Sequence, residues 1–199
     1  MLVSNRTGRG VATPVAEPAA GPYARGVAPL AKVLTVSDSV VAGSRIDAAG
    51  PALVARLEAA GFEVIAHRVV VDGVESVASA LVEFAANFAG LIVTTGGTGF
   101  APRDLTPEGT LAVLDREAPG LGEAMRASSP FGALSRSRCG TIGRCVVINT
   151  PGSTTGALES VEAVLGVLPH ALALLAGAND AHPPEMGGST ATSSAGPTR

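Results

Sequence analysis

The chain has 199 residues, with 14 Lys+Arg against 17 Asp+Glu, 46% hydrophobic residues, 25 Gly, 14 Pro, two Cys and no Trp. That length and apolar content suit one domain with a real core, and the acidic balance argues against the clustered basic surface that non-specific nucleic-acid binding needs. No apolar run approaches the about 20 residues of a membrane span, two cysteines make neither a disulfide framework nor a convincing zinc site, and the only lysine, Lys32, lies in no Gly-Lys-Ser/Thr triplet, which excludes a P-loop.

Residues 1–29 and 178–199 hold seven of the 14 prolines, are rich in Gly, Ala, Ser and Thr, and lack hydrophobic periodicity. They read as disordered tails around a body at 30–177. The N-terminal stretch has no apolar core of a secretory signal, and with two cysteines a reduced, cytoplasmic compartment is the simplest reading. Within the body, Lys32–Val36 reads as a buried strand ended by Ser37-Asp38. Gly50-Pro51 opens a helix through Ala60, with Gly61 as its stop. Val64–Val71 is a β-branched second strand ended by Asp72-Gly73. Val74–Phe88 carries Val77, Leu81, Phe84 and Phe88 at helical spacing. Leu91–Thr95 is a third strand running into Gly96-Gly97-Thr98-Gly99. Thr106-Pro107-Glu108 starts a helix through Arg116, with Thr106 as its N-cap. Cys145–Ile148 is a fourth central strand, and Ala157–Leu175 a last helix. Strand–helix alternation with near-continuous apolar strands implies a three-layer α/β/α sandwich around a mainly parallel sheet.

Parallel strands finish on one edge, and ligands bind outside those carboxyl ends. Four polar segments therefore converge: Ser37-Asp38, Asp72-Gly73, Thr94–Gly99 and Asn149–Ser153. Glycines 96, 97 and 99 allow positive φ and close backbone approach, so successive N–H groups can face an anion, although such a loop by itself can be only a tight turn. Arg103 and the helix start near Thr106 favour the anion reading. Asp38, Asp47, Asp72 and Asp104 each have a bland alternative as turn or cap carboxylates. Together, carboxylates facing a phosphate-type loop suggest Mg²⁺, which is bound through one or two carboxylates plus substrate phosphates. Ser135-Arg136-Ser137-Arg138 is the densest basic segment; a solvated loop is the default, but guanidinium groups suit phosphate oxygens. Cys139 and Cys145 read as packing residues, and His67, His170 and His182 are assigned no catalytic part.

The run Thr94-Thr-Gly-Gly-Thr-Gly-Phe-Ala-Pro-Arg-Asp-Leu-Thr-Pro-Glu108 strongly resembles the signature of the MogA/MoaB family of molybdenum-cofactor proteins. The resemblance continues through Val36-Ser-Asp38, Gly50-Pro51, Pro119-Gly-Leu121, Leu134-Ser-Arg136 and Asn149-Thr-Pro-Gly152, over about residues 31–177. It implies a three-layer α/β/α domain, commonly a homotrimer, that binds molybdopterin. In adenylyltransferase members AMP moves from Mg·ATP to the terminal phosphate of molybdopterin, pyrophosphate is released, and the product passes to a separate molybdenum insertase. The resemblance carries the two essential carboxylates onto Asp72 and Asp104, which would organise Mg²⁺ and ATP, and the pterin-side serine onto Ser135. On that basis the substrate-binding set is Ser37, Asp38, Asp47, Thr95, Gly96, Gly97, Thr98, Gly99, Arg103, Ser135, Arg136, Pro151 and Gly152. No nucleic-acid or membrane partner is expected. A non-catalytic, molybdopterin-binding member of the family is the alternative. The chain departs from the family pattern at Ala49, where a serine is usual, and at Thr154, where a proline is usual; both changes bear on substrate affinity rather than on the fold.

Overall fold

The computed structural model describes residues 28–177; of the expected tails at 1–29 and 178–199, all but residues 28 and 29 lie outside the described residues. Four apolar runs become the parallel heart of one sheet: β1 (Leu30–Val36), β2 (Glu63–Val70), β3 (Ala89–Thr95) and β6 (Arg144–Thr150). The full order is β2-β1-β3-β6-β5-β4, in which β5 (Cys139–Ile142) and β4 (Arg116–Glu117) run antiparallel at one side. β3 and β6 are buried along nearly their whole length, as expected of strands covered on both faces, whereas edge strand β2 alternates exposed and half-buried residues.

Helices cover both faces. On one, α2 (Ala49–Ala59), α5 (Pro119–Ala127), α6 (Thr154–Leu165) and α7 (Leu168–Leu175) place Leu53, Leu57, Met125, Val161 and Leu168 against Val33, Leu91, Val93 and Ile148. On the other, α3 (Val74–Ala85) packs Val77, Leu81 and Phe84 on Leu34, Ile92 and Val147. The expected three-layer α/β/α sandwich is what the chain forms. Lys32 enters the second core from β1: its Nζ donates to the Phe84 carbonyl at 2.8 Å and stands 4.1 Å from the Phe88 ring centroid.

Several elements differ from the sequence reading. A four-residue α1 (Asp38–Val41) follows β1 directly, capped by the Ser37 hydroxyl. The helix begun near Thr106 is only α4 (Thr106–Leu111); Leu105 occupies the cap position, so Thr106 is not the N-cap, and Arg116 lies in β4. The chain turns there because Asp115 N–H joins the Thr141 carbonyl of β5 at 2.8 Å. The expected last helix is two helices meeting at 62°, divided at Gly166-Val167 just ahead of Pro169. A proline ring cannot continue the hydrogen-bond ladder but is tolerated in a first turn. Among the described residues no single helix is long and apolar enough to cross a membrane; this bent pair passes on length and composition alone, and its Val161, Val164, Leu168 and Leu172 are buried in the core.

Candidate functional site

The four strand ends do converge. Gly96 N–H donates to the Thr150 carbonyl at 3.1 Å, and the Thr95 hydroxyl donates to the Pro151 carbonyl at 2.7 Å. A Cβ on Gly152 would lie 3.2 Å from the Gly96 Cα, so glycine lets the two loops touch. Between β1 and β2, Ser37 N–H reaches the Val70 carbonyl at 2.9 Å. Asp38 and Asp72 then exchange backbone-to-carboxylate bonds, Asp38 N–H to Asp72 Oδ2 at 2.9 Å and Asp72 N–H to Asp38 Oδ1 at 3.1 Å. Arg103 closes this latch, donating to both Asp38 oxygens and, at 2.9 Å, to the Asp72 carbonyl.

The two carboxylates of the latch titrate in opposite directions. The Arg103 guanidinium holds Asp38 below the usual carboxylate range. Burial pushes Asp72 up, and the charges of Asp38 and Asp104 add to that rise. Asp72 is thus a half-buried carboxylate raised chiefly by desolvation, with the nearby Arg103 charge pulling the other way. Its Oδ1 faces Gly97, where an added Cβ would lie 2.8 Å away.

The glycine loop is built for close approach. Gly96 and Gly97 have φ of +103° and +61°, and a Cβ on Gly96 would strike the Val36 carbonyl of β1. Asp104 fastens the loop from within: its Oδ2 accepts Ala101 N–H at 2.9 Å and stands opposite Gly99. Arg136 is spent on the same loop. Its N–H donates to the Thr98 carbonyl at 2.9 Å, Nε to the Gly99 carbonyl at 2.7 Å, and Nη1 and Nη2 to Glu108 and the Asp104 carbonyl. Arg136 therefore acts on a ligand through the loop it clamps. Thr98 is itself buried.

Asp47 lines a cavity on the β1 side of this cluster together with Ser37, Thr95 and Gly96. Its carboxylate accepts from the Thr35 hydroxyl at 2.6 Å and Gly50 N–H at 2.9 Å and lies 3.1 Å from His67 Nε2, an arrangement that fixes the start of α2. Thr106 contributes an unexpected feature: it is fully buried, its hydroxyl has no partner, and, like Asp72 Oδ1, it stands against the place a Gly97 Cβ would take.

Two cavities meet over these residues. One, of about 340 Å³, is lined by Gly97, Gly99, Asp104, Arg126, Ser135 and Pro151. The other, of about 290 Å³, is lined by Ser37, Arg45, Ile46, Thr95 and Gly96, and by both departures from the family pattern, Ala49 and Thr154. Gly97, Gly152 and Ser153 belong to both walls. Arg126 was not singled out in the sequence, where it is one arginine near the end of a short helix; only the fold brings it, half-buried, beside Ser135. The cysteines are packing residues: burial pushes Cys139 up to about 11, with Met125 Sδ at 3.7 Å, and raises Cys145, whose thiol donates to the Phe88 carbonyl.

Among the described residues no three His, Cys, Asp or Glu side chains are grouped to hold a metal ion. Mg²⁺ does not require such a group, since one or two carboxylates and substrate phosphates suffice. The donor set fits it. Asp72 is a hard-oxygen ligand with Asp104 near it, and its Oδ1 stands where a side chain at Gly97 would reach it.

Residues 32–170 match the family model described as "Probable molybdopterin binding domain". The chain is 36% identical over 157 residues to gephyrin of Dictyostelium discoideum, covering 72% of this chain and 22% of that protein. It is 43% identical over 91 residues to a molybdopterin adenylyltransferase of Helicobacter pylori, covering 44% of this chain and 52% of that one. The first curated relatives are thus matched over about half of their length or less. Among solved structures, the molybdopterin biosynthesis enzyme MoaB of Thermus thermophilus superposes with a TM-score of 0.71 at 46% identity, covering 75% of this chain and 97% of that one.

Proposed function

The chain belongs to the molybdopterin-binding domain family, and on that premise we propose that it is a molybdopterin adenylyltransferase, joining AMP from ATP to molybdopterin. The observation that carries this reading is the meeting of two cavities at Gly97, Gly152 and Ser153, with Asp72 and Asp104 beside the junction. One site for one ligand needs no such junction; a transfer between two ligands does.

In this reading the 340 Å³ cavity takes molybdopterin and the 290 Å³ cavity takes the nucleotide. A terminal phosphate oxygen of molybdopterin attacks the α-phosphorus of ATP. The new P–O bond forms as the bond from Pα to the bridging oxygen breaks, and pyrophosphate leaves with that electron pair. A phosphate monoester is already anionic at neutral pH, so no side chain has to remove a proton, and the protein's work is to align and to neutralise. The amides of Gly97–Gly99 face the anions, and Arg136 keeps their loop in place. The latch of Asp38, Arg103 and Asp72 sets the position of the Asp72 carboxylate. Asp72 and Asp104 would hold Mg²⁺, whose contribution is neutralisation of phosphate charge.

The curated relatives include bifunctional molybdenum cofactor biosynthesis proteins. A homotrimer in the cytoplasm that hands its product to a molybdenum insertase completes the proposal. The test is incubation of the full chain with molybdopterin, ATP and Mg²⁺, following pyrophosphate and adenylylated pterin. Product from the wild type and none from a folded Asp104→Ala variant is expected. Tight pterin binding without product would replace the enzyme by a binding protein, and undiminished turnover in Asp104→Ala would remove that residue from the mechanism.

A further inference from the structure

Most buried hydroxyls among the described residues are accounted for: Thr35, Thr94, Thr95, Thr110, Ser137 and Thr150 each hydrogen-bond within the fold. Thr98, Thr106 and Ser160, which are 4%, 0% and 6% exposed, have no such bond among the described residues. Thr106 Oγ1 is sealed in the interior. Thr98 and Ser160 both line the 340 Å³ cavity, Thr98 from the glycine loop and Ser160 from α6, and neither reaches the 290 Å³ cavity. Ser160 stands where a helix contact calls for an apolar residue, since Ala157, Val161 and Val164 of α6 lie in the core with Met125 of α5. A polar group buried there weighs against folding unless it is bonded. A helical serine can satisfy itself on the carbonyl of the preceding turn; Ser160 does not, and it opens on the cavity instead. Ser153, Gly156 and Ser160, spaced three and four apart, lay one face of α6 along the cavity wall. Met125 and Ser160 are its buried floor, and the exposed Phe131 and Leu134 stand at its mouth.

A hydroxyl donates one hydrogen bond and accepts others, so one serine can serve a carbonyl and an N–H together. A reduced pterin presents that pair on one edge, its carbonyl O4 beside the N5–H. Thr98 belongs to the loop whose amides suit the phosphate end of the ligand, which leaves Ser160 for the ring, with the Met125 thioether beside it as apolar surface. We propose that Ser160 is a specificity contact: its hydroxyl bonds the carbonyl and N–H edge of the reduced pterin at the floor of the 340 Å³ cavity, so that the cavity selects a nitrogen heterocycle over an apolar ring of the same size. The proposal rests on the reading of that cavity as the molybdopterin site and names the residue that reads the ring there.

The test uses the full chain and two probes, 6-hydroxymethyltetrahydropterin kept reduced under anaerobic conditions and 2-naphthalenemethanol, which has a ring system of the same size without N–H or carbonyl groups. Binding is followed by titration calorimetry. Ser160→Ala should weaken the pterin by about threefold to tenfold, the scale of one hydrogen bond, and should bind 2-naphthalenemethanol no less tightly than the wild type does. Equal pterin affinity in wild type and Ser160→Ala overturns the proposal while the reading of the cavity stands. A parallel loss for both probes overturns it too, because the variant has then lost shape rather than a polar contact. Failure of the wild type to bind the reduced pterin removes the reading of the cavity and the proposal with it. Alanine suits a helix interior, so the variant is expected to fold. Ser160→Cys, close to serine in size and a weak hydrogen-bonding group, carries the same test if the melting temperature of Ser160→Ala falls below that of the assay.

Discussion

Gly97→Ala separates a backbone penalty from a displaced carboxylate. Gly97 has a φ of +61°, and an added Cβ would meet the Thr106 hydroxyl and, at 2.8 Å, Asp72 Oδ1. A left-handed conformation costs an L-residue about 1–2 kcal/mol, loss of glycine's freedom in the unfolded chain returns about 0.4–1 kcal/mol, and overpacking adds about 1–3 kcal/mol. The net loss is about 1–5 kcal/mol, a fall in melting temperature of about 2–20 °C for a body of this size. Gly61 supplies the control: its φ is +86° and nothing lies within 4 Å of its would-be Cβ, so Gly61→Ala carries only the first two effects, about 0–2 kcal/mol. Turnover should divide the two more sharply. Thr106 and Asp72 must both give way, and a misplacement of the carboxylate by about 1 Å costs about a hundredfold in rate. Pyrophosphate release and thermal melting of both variants make the comparison. A Gly97→Ala enzyme turning over like Gly61→Ala would refute the claim that the position of Asp72 governs the reaction.

Two other perturbations have defined outcomes. Asp72 has a folded-state pKa above its unfolded value, so its charged form weighs against folding above that pKa, and the penalty disappears as pH falls through it; Asp38, held down by Arg103, contributes stability that is lost as pH falls through its own lowered value. Asp72→Asn should therefore melt higher than wild type near pH 7 while losing turnover, with the gain shrinking in acid; a gain that does not change with pH would contradict this. Arg136→Lys should leave the central strands as they are but speed hydrogen exchange at amides 97–106, because an ammonium cannot span the Gly99 and Asp104 carbonyls together with Glu108; unchanged exchange would show that the clamp is dispensable.

The central strands were legible because they are unbroken apolar runs, and the glycine loop because its residues are adjacent in sequence. β5 was not, since Cys139-Gly-Thr-Ile142 is short and holds a glycine, and β4 is two exposed residues whose only claim to be a strand is their pairing with β5. Side-chain destinations were harder still. Arg136 and Asp47 carry the charges expected of ligand contacts, yet their partners are Gly99, Glu108, Thr35 and His67, all distant in sequence. Arg126 had no local signal at all; its place beside Ser135 and Ser137 is a property of the packed molecule.

Lys32 is the chain's only lysine, and it is bound to the Phe84 carbonyl and the Phe88 ring within the α3 core. The ligand-facing edge is therefore walled without a single primary amine: its cations are guanidiniums, which stay protonated and do not act as nucleophiles. In the proposed reaction the phosphoanhydride product would meet no lysine amine there. Such a product could wait for its acceptor without capture by a lysine of the protein that would make it.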